Sequence, residues 1–179
     1  MKKLILLLLF IPIVSFGQKV INYKSDFLTF SYYDTYTVDE SRYYMDPSNK
    51  SVKLSCNSCD YGALDNIGLI YVPIDGDEKI NMIELFSMMK KETESKLLKM
   101  GVNSDFSLVK IGTELIKGKD IPYFTIKLVM KDTGTTFQKL YMYQTPTATY
   151  QLILTTSKKG LSKRQGDVDL ILKTLKIKQ

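Results

Sequence analysis

The chain has 179 residues, with 25 Lys and Arg against 19 Asp and Glu, and it contains neither histidine nor tryptophan. The missing histidine excludes Ser-His-Asp and Cys-His nucleophilic catalysis, histidine-ligated zinc and the commonest general base. The formal charge of +6 is local: Lys158, Lys159, Lys163, Arg164, Lys173, Lys176 and Lys178 cluster in residues 158–179, opposed there only by Asp167 and Asp169.

The chain opens with Lys2 and Lys3, an apolar run from Leu4 to Val14, and small residues at Ser15 and Gly17. That is the pattern of a secretory signal peptide, cut after Gly17 to leave Gln18 first. The run is shorter than the ~20 residues a permanent membrane helix needs. No cysteine follows it to take a lipid anchor. The expectation is a signal peptide over 1–17 and a single domain over 18–179, in the periplasm or outside the cell. A chain of that length buries roughly two-thirds of its unfolded surface, so its fold does not depend on disulfides.

"FLTFSYYDTYTV" alternates at Leu28, Phe30 and Tyr32, the period of a half-buried strand. "SVKLSC" alternates at Val52, Leu54 and Cys56, and "IGLIYVPI" over Ile67–Ile74 reads as its partner across a turn rich in Asn, Asp and Gly. A long helix follows, with Asn81 and Glu84 as a capping box and Gly101 as a left-handed stop. Its apolar stripe is Met82, Leu85, Phe86, Met89, Leu97 and Met100, and its polar face carries Lys90, Lys91, Glu94, Lys96 and Lys99. Short strands near Phe106–Ile111 and Thr113–Ile116 lead to a turn at Gly118 and a meander of three strands. Ser162 and Gln165 suggest a second capping box before a stripe of Val168, Ile171, Leu172 and Leu175, with Gly166 delaying the helix to Asp167. Strands joined by short turns, plus one long and one terminal helix, predict an α+β domain with a twisted antiparallel sheet covered by helices.

The opening "DFLTFSYYDTYTVDE", the hairpin, the helix ending at Gly101, "IKGKDIPYFTIKL", the meander and the closing "ILKTLKI" together resemble the PsbP-like and DcrB-like fold family. The resemblance spans nearly all of residues 18–179 and is one of layout. It departs at Tyr33 and Tyr36, where many relatives carry a Pro-x-x-Trp-like step, and in having a Cys-x-x-Cys pair. It implies a three-layer sheet sandwiched between helices and a mostly non-enzymatic role in binding or assembly.

Cys56 and Cys59 are the only cysteines. A redox pair needs a helix N-terminus to lower the nucleophile's pKa, whereas Cys56 ends a strand and Asp60 sits beside Cys59. A structural zinc needs four ligands, which this pair lacks. The pair reads as a disulfide staple of an oxidising compartment, with an envelope thiol-disulfide enzyme as the rival. Ser87 and Lys90 spell the S-x-x-K of acylating enzymes without the S-D-N and K-T-G elements those need. The carboxylates of Asp75, Asp77 and Glu78 read as favourable charge before a helix rather than a calcium loop. Met82, Met88, Met89 and Met100 could offer thioethers to Cu(I), but three of them fit the helix stripe.

The sequence therefore implies no cofactor, no metal and no catalytic residue. The expected protein is an exported, non-enzymatic binding or accessory protein. Its partner is a protein or a small apolar ligand, not nucleic acid, with weak contact to an anionic membrane surface through the basic C-terminal segment. A lipid or apolar-ligand carrier, holding its cargo between the sheet and the Asn81–Met100 helix, is the other alternative.

Overall fold

The computed structural model describes residues 18–40, 49–56, 58–59, 65–74, 81–131 and 134–178. The signal segment, Asp60 and the acidic Asp75–Glu78 stretch lie outside the described residues. In chain order the elements are β1 (Val20–Lys24), β2 (Leu28–Tyr33), β3 (Tyr36–Asp39), β4 (Lys50–Cys56) and β5 (Asn66–Pro73). Then come α1 (Met82–Lys99), β6 (Ser104–Ile116), β7 (Lys119–Met130), β8 (Gly134–Gln144), β9 (Ala148–Thr156), α2 (Lys158–Lys163), α3 (Gln165–Thr174) and β10 (Lys176–Ile177).

Two antiparallel sheets result, as the α+β reading requires. The larger runs β3-β4-β5-β9-β8-β7-β6, and the smaller β1-β2-β10. After β5 the chain leaves the middle of the large sheet, crosses one face as α1, and returns at the far edge as β6. The meander β6 to β9 then walks back until β9 closes against β5, with Ile67 opposite Leu154 and Leu69 opposite Leu152. Strand alternation divides the core between the two faces. Val52, Leu54, Tyr123, Tyr141, Leu152 and Leu154 pack with Val168, Ile171 and Leu172 of α3 and with Leu28 and Phe30 of β2. Phe106, Phe124, Ile126, Leu140 and Met142 face the other way, under α1.

The stretch expected to be one opening strand is broken at Asp34. Its backbone N–H donates to the Lys19 carbonyl at 2.9 Å, and its carboxylate accepts from the Lys19 N–H at 3.2 Å. That clamp turns the chain, so β2 joins the small sheet and β3 pairs with β4. The two short strands expected after α1 are instead one, β6, because Gly112 does not interrupt it. A Cβ there would stand 3.3 Å from the Tyr123 hydroxyl, so the glycine makes room for that ring. A bulge at Val109, between Leu108 and Lys110, absorbs the register shift.

Helix α1 begins as expected, with the Asn81 side chain accepting from the Ile83 N–H at 3.0 Å. It ends in a Schellman motif: Gly101 has φ +75°, its N–H donates to Leu98, and the Val102 N–H donates to Leu97. None of its residues is fully buried. Met82, Leu85, Phe86 and Met89 rest on the sheet. Phe86 lies 5.8 Å from Phe106 and edge-on to Phe124 at 6.2 Å. Met100 does not belong to the stripe: it is the C-cap residue and is 75% exposed.

Lys90 and Glu94, expected on the outer face, are half-buried on the inner flank. Lys90 Nζ donates to the Phe106 carbonyl at 2.8 Å, and Glu94 accepts from the Phe106 N–H at 3.3 Å. Phe106 lies on the edge strand, whose outward backbone groups have no strand partner, and the helix satisfies this pair.

The capping box expected at Ser162 and Gln165 does not form. Ser157 caps a short α2 by accepting from the Gly160 N–H at 3.0 Å. α3 then starts at Gln165 with no side-chain cap, including Gly166 rather than waiting for Asp167.

Candidate functional site

The residues singled out by sequence fall at separate places. Cys56 and Cys59 are joined, their Cα atoms 5.5 Å apart, at the end of β4. Cys56 is fully buried, and its N–H donates to the Asp65 carbonyl at 3.0 Å. Cys59 lies in the turn beyond β4. This geometry fits a staple that shuts the loop entering β5. Ser87 donates to the carbonyl of Ile83, one turn back in its own helix, while Lys90 reaches the opposite way to Phe106. The two are not brought together as a nucleophile and its base. Among the described residues no group of three or more Cys, Asp or Glu is placed to hold a metal.

Beside the staple is a buried polar network that sequence reasoning missed. Arg164, counted in the basic C-terminal segment expected to touch an anionic surface, sits at the α2–α3 junction with its side chain only 17% exposed. Its Nε is 3.7 Å from Asp65 and its Nη1 3.5 Å from Asp167. Asp65 also accepts from the Thr156 hydroxyl, and Asp167 from the Tyr36 hydroxyl at 2.6 Å. Burial, reinforced by the Asp167 carboxylate, pushes the Tyr36 phenol far above its usual range. Four elements distant in sequence converge here, so no local pattern could announce it.

A second polar cluster joins the first residue of α3, Gln165, to the sheet. The Tyr141 hydroxyl donates to Glu114 at 2.8 Å and accepts from Gln165 at 2.9 Å. Lys139 donates to Glu114 at 2.5 Å and to Gln165 at 3.1 Å, its ammonium 4.4 Å from the Tyr123 ring centre. Every charge here is answered within the cluster, which ties α3 to the sheet.

One of several concave features among the described residues lies at the other end of β9 and α3. A cavity of about 300 Å³ opens between the β6–β7 turn, the end of β8, the end of α3 and β10. Its floor is apolar: Ile116, Ile121, Leu172, Leu175 and Ile177, with Tyr143 and Thr145 at the side. Lys117 and Lys119 stand at its mouth. Lys119 Nζ donates to the Tyr143 hydroxyl at 2.9 Å, and Lys117 Nζ donates to the Leu175 carbonyl at 3.3 Å. The volume is at the small end of the roughly 300–1,000 Å³ typical of small-molecule sites.

The carrier alternative expected a cavity under α1, whereas this one opens on the opposite, α3 face of the sheet. The Phe86 side chain seats α1 directly on Phe106 and Phe124. Leu172 and Leu175 were legible as an apolar stripe, and "IKGK" as a hairpin turn. That the two would meet depends on where β6 enters the sheet, which no local signal carries.

No protein-family model and no curated sequence matches the chain. Solved structures do. The chain is similar to cyanobacterial PsbP (CyanoP) from Synechocystis sp. PCC 6803, with TM-score 0.62 and 11% identity over 92% of this chain and 95% of that one. It is also similar to a crystal structure from Bacteroides thetaiotaomicron VPI-5482, with TM-score 0.50 and 15% identity, covering 90% of this chain but 49% of that one. The fold is PsbP-like, as its layout implied.

Proposed function

We propose that this PsbP-like chain is an exported binding protein without catalytic chemistry, and that it holds a small ligand with an apolar portion in the cavity at the end of α3. The observation that carries the reading is the cavity itself: five aliphatic side chains form a concave floor open to solvent. Apolar surface left in water is unfavourable by about 25 cal/mol per Å², and a ligand that covers it recovers that free energy. The Cys56–Cys59 bond supports an oxidising compartment, in keeping with the N-terminal export pattern. Among the described residues no helix is long and apolar enough to cross a membrane.

The chain has no tryptophan, so an Ile116→Trp variant carries a single indole at the cavity wall. Titration with a series of 1-alkanols should change its fluorescence saturably, with affinity rising with chain length until the cavity is full. A flat response across the series, from a variant that melts like the wild type, refutes the reading.

A further inference from the structure

We infer that the ligand of this cavity is a single-chain amphiphile with an anionic head, its chain lying on Ile116, Ile121, Leu172, Leu175 and Ile177 and its head held by Lys117 and Lys119. The inference rests on the binding reading above and adds the sign of the ligand's charge. Three observations support it.

First, the mouth carries cations without counter-charges. Lys117 and Lys119 donate only to a backbone carbonyl and a neutral phenol. Lys117 is shared with an adjoining groove that also presents Lys24, Lys173 and Lys176. Among the described residues no carboxylate lies within ion-pair distance of any of these five lysines. Elsewhere in the molecule Lys50, Lys90, Lys96 and Lys139 each have an acidic partner. Two like charges at the cavity and three more along the adjoining groove repel one another, and an anion relieves that repulsion.

Second, Lys117 stands where the backbone disfavours it. Among the described residues it is the one non-glycine with positive φ, at 51°, in the Lys117–Gly118 turn that joins β6 to β7. Two-residue hairpin turns of this kind favour Asn, Asp or Gly at that position. A lysine held in the left-handed region gains nothing for the turn, but it places a cation over the cavity.

Third, the dimensions select one source. A cavity of about 300 Å³ holds on the order of ten heavy atoms at about 30 Å³ each. That fits one short acyl chain and not the paired chains of a bilayer lipid, so a free amphiphile is the fitting occupant.

The test is calorimetric titration of the mature protein with decanoate, 1-decanol and decyltrimethylammonium, repeated on a Lys117→Asn/Lys119→Gln variant. Asparagine tolerates the left-handed turn, and matching melting curves confirm that the variant folds. The expected result is decanoate bound at least tenfold more tightly than decanol, with decyltrimethylammonium weakest. The preference should shrink with added salt and disappear in the variant, while decanol affinity stays unchanged. Equal binding of all three would overturn the anionic head and leave the cavity reading standing. Binding of none would overturn both. Binding to vesicles of anionic phospholipid without binding of decanoate would mean that the lysines serve a membrane surface, and would also overturn the inference.

Discussion

Replacing Arg164 with methionine probes a junction where this fold sets one buried cation against two buried carboxylates. Arg164 lies 3.7 Å from Asp65 and 3.5 Å from Asp167, whose side chains are 2% and 11% exposed. At an effective dielectric of 20, unit charges 4 Å apart attract by about 4 kcal/mol, offset by the cost of removing them from water. Removing the cation leaves two buried carboxylates, each still accepting from one hydroxyl, Thr156 or Tyr36. Breaking such a set costs about 3–5 kcal/mol. At about 2–4 °C per kcal/mol for a chain of this size, the melting temperature should fall by roughly 6–20 °C. Urea and thermal unfolding at neutral pH measure the loss, with exposed Lys159→Met as a control expected within about 0.5 kcal/mol. Adding Asp65→Asn and Asp167→Asn to the methionine variant should restore more than half of the loss, because the uncompensated charges are then gone. A loss below about 1 kcal/mol, or no recovery in the triple variant, would refute this account of the junction.

Other perturbations separate the remaining interactions. Changing Cys56 to alanine and Cys59 to serine should cost about 2 kcal/mol, the chain-entropy value for so small a loop, and leave ligand binding unchanged in titration. Alanine suits position 56 because that side chain is fully buried and a hydroxyl there would lack a partner. Gly160→Ala should destabilise by about 1–3 kcal/mol or more, since its Cβ would overlap the Thr156 hydroxyl that serves Asp65; Gly68→Ala, with nothing near its Cβ, should be close to neutral in the same melts. Phe86→Ala should cost about 2–3 kcal/mol, less than the 3–5 of a fully buried aromatic, because α1 rests on the sheet without being covered. Burial raises the phenols of Tyr23, to about 12, and of Tyr36, Tyr141 and Tyr150. Groups whose folded pKa exceeds the unfolded value of about 10 hold their full stabilisation below that pH and lose it above. A near-ultraviolet titration should therefore show these phenols ionising late, together with alkaline unfolding; twelve phenols titrating as one set near pH 10 would contradict it.

The parts of the fold legible in the sequence are those whose causes are local. Asn81 and Gly101 marked the ends of α1 because a cap needs only its neighbours. The alternation of β4 was readable because its Val52, Leu54 and Cys56 face is buried while the residues between them are not. The failures share a different cause. Nothing in "YYDTYT" says that Asp34 will meet Lys19, so the break between β2 and β3 was invisible. The outward charge of Lys90 was inferred from helical periodicity, which cannot know that the edge strand offers Phe106 as a partner. Gly112 looked like a strand breaker because the ring it accommodates belongs to Tyr123 on the next strand.

The fold divides the C-terminal segment in a way that composition does not show. Seven basic residues in the last 22 suggested weak contact with an anionic membrane surface. Arg164 turns inward to neutralise Asp65 and Asp167 where α3 begins. Lys173 and Lys176 emerge at its far end, beside Lys117 and above Leu172 and Leu175. α3 therefore has a polar anchor at one end and an apolar floor at the other, with the Gln165–Tyr141 hydrogen bond fastening that same N-terminal end to β8. The anchor bears on the site because the cavity has one wall made by α3 and another by the β6–β7 turn. A helix free to slide would alter the distance between Leu175 and Lys117, now joined by a 3.3 Å hydrogen bond. Fixing its N-terminus by the Arg164 ion pairs and by the Glu114–Lys139–Gln165 cluster holds that distance without placing any charge on the cavity floor. Charge sets the position of the helix, and the cavity floor is left apolar.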